Sequence, residues 1–313
     1  IITGATIKAG KDVYCEKPLA ASIAEGRYVS DLVAKHKTVL QCGTWRRSGA
    51  YTRMACEWVQ NGYVGTLKHI DVGVPARFEI RGGYTGMESP QAVPEALNFD
   101  MWLGPCLEVD YTASRVHFNF RWLNAHAPGY ITDWGAHFLD VAQWGNDSDN
   151  TAPVSVKASK VAYRGTGLYD APEEFQIDYR YANGVTMRMF ATADDAQWGT
   201  KFIGDEGWVF TENSKLITEP MALRQTRLKK SDKKLYESKN HHRNFIDSVY
   251  SRERTAAPAE AAHRAATCCH LGGIAAAVSD EELHFDPKKE RFTNSEAANQ
   301  HLMRAMREPW RLS

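Results

Sequence analysis

Residues 10–20 read GKDVYCEKPLA, and the order of residue types in this stretch decides the fold. Gly10 stops a preceding helix, because glycine takes the left-handed cap position without steric cost. Val13, Tyr14 and Cys15 favour a short buried strand. Pro18 has no N–H to give to a sheet, so the strand ends by Lys17. Glu16 and Lys17 thereby stand at the C-terminal end of a buried strand, the edge at which open α/β sheets bind their ligands.

Working outward, residues 1–9 read as a helix and residues 19–36 carry apolar side chains at helical spacing. TVLQCGT (residues 38–44) reads as a second buried strand. Strand, helix and strand in that order form a βαβ unit and hence a parallel sheet. AYTRMACEWVQNGYVG (residues 50–65) reads as a helix, LKHIDVGV (67–74) as a strand, and the chain is loop-rich from there to about Val109. A further helix is expected from near Thr132 to Gly145.

Beyond Pro153 the apolar period changes to two. VSVKASKVAYR, EEFQIDYRYANGVTMRMFATA and KFIGDEGWVFTE alternate apolar with polar residues, the pattern of an antiparallel sheet with one wet face. Asn183 and Gly184 signal a type I′ hairpin, since both residues tolerate positive φ. Helices return at residues 241–251 and 258–279, and the tail through REPWRL reads as loop-rich.

With 313 residues, 43% apolar and 24% charged, the composition is that of an ordinary soluble globular protein. The 38 Lys and Arg balance 38 Asp and Glu, so no global field favours nucleic acid or an anionic membrane. The basic run RLKKSDKK (residues 227–234) is broken by Asp232 and reads as a solvated hairpin or loop. No apolar stretch nears the roughly 20 residues that span a bilayer. Cysteines 15, 42, 56, 106, 268 and 269 form no C-x-x-C pair and read as reduced, buried hydrophobes. That usage fits a reducing, cytoplasmic compartment, with periplasmic export as the alternative.

Asp133 and His137 lie four apart and share one helical face. Imidazole, with an ordinary pKa of about 6.5, suits a general base, and a carboxylate beside it could select its tautomer. The same spacing also fits a helix-start carboxylate and a core histidine. Asp140 falls on that side too, but zinc sites recruit more His or Cys than this, and no metal is expected. Arg46 and Arg47 follow the second strand, within reach of phosphate, carboxamide or substrate, or else begin a helix on the surface. In VHFNFRWLN, His117, Asn119, Arg121 and Trp122 combine flat rings with hydrogen-bonding groups, which suits either a sugar-binding wall or a core.

AGKDVYCEKPLA, GTWRRS, FDMWLGP, GYITDWGAHFLDVAQW and REPWRL occur in this order, and with them the chain resembles the glucose–fructose oxidoreductase, inositol dehydrogenase and MocA (Gfo/Idh/MocA) family. The resemblance implies an α/β plus α+β fold. Residues 1–47 would be the C-terminal remnant of a Rossmann parallel sheet. Residues 48–313 would form an open, mainly antiparallel sheet domain with flanking helices, of which 241–280 pack back toward the Rossmann part. No G-x-G-x-x-G occurs in the sequence, and three or four further βα units are expected ahead of Ile1.

The resemblance further implies NAD or NADP as cofactor, with Glu16, Lys17, Pro18 and Arg46 at its binding site. Lys17 would project toward the nicotinamide and the reacting hydroxyl, with Asp133 and His137 facing the same point from the second domain. His137 is expected as base, Lys17 as polariser and Asp133 as orienter, with Arg47, Arg121 and Trp122 toward substrate. The implied activity is oxidation of a secondary hydroxyl of a sugar, polyol or glycoside. The alternatives are a glycosidase working by transient oxidation and elimination, or a non-catalytic sugar-binding or dimerisation module. The open sheet implies a homodimer or homotetramer.

Overall fold

The computed structural model describes residues 1–76, 79–278 and 280–312. Arg77, Phe78 and Ser279, the last being the expected end of a helix, lie outside the described residues. Helix α1 (Ile2–Lys8) leads to strand β1 (Val13–Cys15), which pairs in parallel with β2 (Leu40–Cys42). Helix α2 (Ile23–His36) makes the crossover. It starts where the Ser22 hydroxyl accepts the Glu25 N–H and stops where Lys37 takes a left-handed φ of 52°. Ile7, Leu19, Val29, Leu32, Leu40 and Cys42 fill a small core under this unit.

The second sheet has nine strands. They are β3 (Leu67–Pro75), β4 (Ser155–Tyr163), β5 (Pro172–Arg180), β6 (Thr186–Thr192), β7 (Gly199–Gly204), β8 (Trp208–Glu212), β9 (Lys215–Glu219), β10 (Leu283–Asp286) and β11 (Arg291–Phe292). Their spatial order is β11-β10-β4-β5-β6-β3-β7-β8-β9, and every neighbouring pair is antiparallel except β3 and β6. The period of two separates the faces. Val72, Ile177, Met187, Met189 and Phe202 point to the core, while Asp71, Asp178 and Arg188 stand on the other face, where Arg188 and Asp178 pair at 2.7 Å.

Helices α3 (Ala50–Gln60), α5 (Gly135–Gly145) and α7 (Ala259–Val278) cover the apolar face. α5 comes so close that a Cβ on Gly145 would sit 2.3 Å from the Phe202 ring. α4 (Phe99–Leu103) lies in the long connection after β3, and α8 (Glu296–Gln300) follows β11. α6 (His241–Ser251) returns to the small sheet: the His241 ring bonds the Cys42 carbonyl at 2.8 Å, and His242 stacks on Tyr14 at 5.1 Å. The start of α7 packs Ala259 and Ala262 into the small core. α7 therefore touches both sheets and ties them together. Among the described residues, no helix is long and apolar enough to cross a membrane.

The structure corrects several local expectations. At the hairpin joining β5 and β6, Gly184 takes φ 89° but Asn183 does not turn positive, so the turn is not type I′. Tyr181 and Val185 close a longer loop, and the Asn183 side chain is held by Val185 N–H at 3.1 Å and by Asn146 at 3.1 Å. Those bonds favour a type I turn with a glycine bulge. Within the loop-rich tail, Leu283 and Phe285 extend the core as β10. α5 begins at Gly135 rather than Thr132, after a 3₁₀ turn at Gly129–Ile131.

Candidate active site

Lys17 stands two residues beyond the end of β1, where Pro18 has already broken the strand. Its ammonium reaches the segment ahead of α5 and donates to the Asp133 backbone oxygen at 2.7 Å and to its carboxylate at 2.5 Å. Asp133 sits immediately ahead of α5, with His137 one turn further on. A strand end from the parallel sheet thus meets a helix start from the antiparallel one. The two side chains keep 15% and 21% of their surface exposed, so the pair faces an opening and not a dry core.

The second carboxylate oxygen of Asp133 accepts from Arg121 Nε at 3.2 Å. Burial acts to raise the Asp133 pKa, but Lys17 and Arg121 outweigh it and hold the carboxyl below its ordinary value. Asp133 thus holds Lys17 and Arg121, while the His137 Nδ1 that it was expected to orient is buried with no hydrogen-bond partner. The His137 ring lies edge-on to Trp45 at 6.1 Å. Burial, then the charges of Lys17 and Arg46, press the His137 pKa down to about 3. The imidazole is therefore neutral at physiological pH.

That shift has a consequence for stability. A histidine whose pKa is lowered on folding contributes stability that is present above its unfolded value of about 6.5 and is lost as pH falls toward the folded value. Wild-type protein should lose stability between pH 6.5 and about 3 partly through this residue. In His137→Gln, the dependence of unfolding free energy on pH should flatten in that window, by at most about 1.4 kcal/mol per pH unit. Urea unfolding at several pH values checks this; parallel curves for the two proteins would refute it.

The other expected site residues separate. Glu16 is exposed, with its carboxylate against Gly43, and Pro18 is half-buried beside it. Arg46 does not open toward a cofactor: it is 5% exposed, pairs with Glu212 of β8 at 3.0 Å and lies over the Phe138 ring at 4.4 Å. Arg47 cannot reach substrate. It is sealed at 1% exposure between Asp140 (2.8 Å) and Asp149 (2.7 Å). Asp140 is consequently a structural partner, and among the described residues no group of three or more His, Cys, Asp or Glu is gathered for a metal.

Trp122 is likewise core. It is 1% exposed, packs against Tyr130, and donates its indole N–H to the Glu79 carbonyl at 2.8 Å. Asn119 is spent on the Arg81 backbone, bonding its N–H and its carbonyl. The residue that sequence reasoning missed is Trp45, 39% exposed beside His137. Its position directly after β2, inside GTWRRS, was the available signal.

Residues 49–312 match the family model described as the oxidoreductase family, C-terminal alpha/beta domain. The chain is 25% identical over 203 residues to the rhizopine catabolism protein MocA of Rhizobium meliloti, covering 64% of this chain and 51% of that one. It spans about half the length of that curated relative. Among solved structures, levoglucosan dehydrogenase in complex with NADH and L-sorbose superposes with a TM-score of 0.61 at 16% identity, over 90% of this chain and 75% of that one. GenD2 from gentamicin A biosynthesis, in complex with NAD, gives 0.60 at 16% identity over 91% and 74%. The aldose–aldose oxidoreductase of Caulobacter crescentus, with glycerol, gives 0.60 at 16% over 91% and 75%. These likenesses establish a shared fold spanning both sheets. By the family match over residues 49–312, the chain belongs to the Gfo/Idh/MocA oxidoreductase family.

Proposed function

We propose that the protein is an NAD(P)-dependent oxidoreductase that oxidises a secondary hydroxyl of a sugar, polyol or glycoside. The observation that carries this reading is the bridge from Lys17 to Asp133, which joins the C-terminal edge of a parallel sheet to the start of α5, one turn ahead of the neutral, half-buried imidazole of His137. Structural relatives named for NAD binding and for sugar substrates support the same reading.

The residues fit the nicotinamide end of a dinucleotide. The C-terminal edge of β1 and β2 offers the site at which such sheets take their ligands, and Lys17 and the orphaned His137 Nδ1 supply the polar groups. Glu16 and Pro18 would line that end. The residues of this chain do not include a glycine-rich pyrophosphate loop. When bound, the nicotinamide supplies the hydride acceptor.

Removing a hydride from carbon requires that the hydroxyl proton leave as well. His137 is neutral, so a ring nitrogen has a lone pair for that proton, and its pKa of about 3 in this structure makes it a weak base for the task. Lys17 donates to the same oxygen as negative charge develops on it, which stabilises the alkoxide more than the alcohol. Asp133 keeps the ammonium pointed at that position. Trp45 offers an exposed flat ring beside His137, suited to the apolar face of a sugar.

The test uses protein expressed from its complete coding sequence, mixed with NAD⁺ or NADP⁺ and a panel of sugars, polyols and glycosides. Reduced nicotinamide should accumulate in proportion to oxidised product with at least one of them. Absence of cofactor binding, or binding without any reduction across the panel, would overturn the proposal.

A further inference from the structure

Arg121 was expected to contact substrate, yet two of its three guanidinium nitrogens are engaged within the protein and the side chain is 25% exposed. Nε donates to the Asp133 carboxylate at 3.2 Å and Nη1 donates to the Phe118 carbonyl at 3.1 Å. The guanidinium lies over the rings of Phe118 at 4.2 Å and Phe120 at 4.9 Å. A planar cation held by a backbone carbonyl and two aromatic rings has little freedom to swing toward a ligand. The carboxylate it grips takes the Lys17 ammonium on its other oxygen. Lys17, Asp133 and Arg121 therefore form a cation–carboxylate–cation chain from the strand end, through the start of α5, to the segment His117–Trp122.

We propose that Arg121 is a positioning residue that locks the Asp133 carboxylate and through it aims Lys17, and that it is not a substrate ligand. The inference rests on the oxidoreductase reading above for its kinetic consequences, whereas the arrangement itself is made entirely by residues of this chain. A carboxylate fixed at both oxygens cannot rotate, so the ammonium hydrogen-bonded to it keeps one direction. Freed at one oxygen, the carboxylate turns about its Cβ–Cγ bond and carries Lys17 with it. A displacement of about 1 Å in a catalytic donor is enough to cost on the order of 100-fold in rate.

Two independent experiments test this. In the active enzyme, Arg121→Met should lower kcat by about 10- to 100-fold with sugar KM changed little, and Arg121→Lys should restore part of the loss. In an Asp133→Asn background, Arg121→Met should add almost nothing, because the path through the carboxylate is already cut. A rise in sugar KM that persists undiminished in the Asp133→Asn background would overturn the proposal in favour of direct substrate contact.

The second experiment needs no catalysis and so separates failure of this proposal from failure of the functional reading. Carbon-13 NMR of the aspartate carboxyls in this chain should show Asp133 titrating at higher pH in Arg121→Met than in wild type, because a cation that lowers its pKa is gone. An unchanged Asp133 titration in a folded variant would show that Arg121 does not grip the carboxylate in solution.

Discussion

Lys17→Met should lower kcat by about 100- to 1,000-fold, the range found when a single donor to a developing oxyanion is removed. Methionine preserves the length of the stem and deletes the ammonium. The variant should still fold, because Asp133 keeps its bond to Arg121 and the site retains an opening to solvent. Cofactor affinity should change much less than kcat, since Lys17 acts on charge that appears only during the reaction. Steady-state kinetics with a fixed sugar, together with a thermal melt, separates these effects. A variant that loses only KM would show that Lys17 binds substrate without stabilising the alkoxide.

Arg47→Met should be the most destabilising single change, by about 3–5 kcal/mol. Arg47 and Asp140 are sealed at 1% and 0% exposure, and Asp149 completes the cluster. Taking away the cation between the two carboxylates leaves the sealed Asp140 unpaired in a medium that solvates it poorly, while Asp149, 18% exposed, keeps only a looser contact with Arg254 at 3.7 Å. Burial already pushes Asp140 up, and without Arg47 both carboxyls should bind protons more readily in the folded state than in the unfolded one. The variant should accordingly recover stability as pH falls, opposite to the His137 effect. Replacing all three residues together, as Arg47→Met, Asp140→Leu and Asp149→Asn, should recover much of the loss, because buried ion networks are often no better than apolar packing. Guanidinium unfolding of the single and triple variants checks both statements. An Arg47→Met protein as stable as wild type would mean that water reaches this cluster.

The architecture was legible because two periodicities stand side by side in the sequence. VYC and LQC are short apolar runs separated by a helix-length amphipathic stretch, and EFQIDYR alternates. Neither pattern needs distant partners to be read. The meeting of Lys17 with Asp133 was read from family markers; no local rule predicts a bond across 116 positions. Arg46 and Arg47 show the limit from the other side. Both follow a strand at the ligand-binding edge, yet Arg47 found Asp140 and Asp149, 93 and 102 residues away, and was buried between them. Trp122 looked like a sugar platform by composition, but its indole N–H met the Glu79 carbonyl in the core. The exposed ring turned out to be Trp45, whose solvent face depends on how the 3₁₀ turn at Trp45–Ser48 packs against α5 and not on its neighbours in sequence.

The most direct test of a redox site at Lys17 and His137 follows one hydrogen. A sugar that the complete protein oxidises is prepared with deuterium on the carbon bearing the reacting hydroxyl, and the nicotinamide is recovered after one turnover. The label should be found on the reduced nicotinamide, transferred without exchange, and Lys17→Met should slow that transfer. Deuterium released to water, or retained on the sugar with no reduced cofactor formed, would contradict the account.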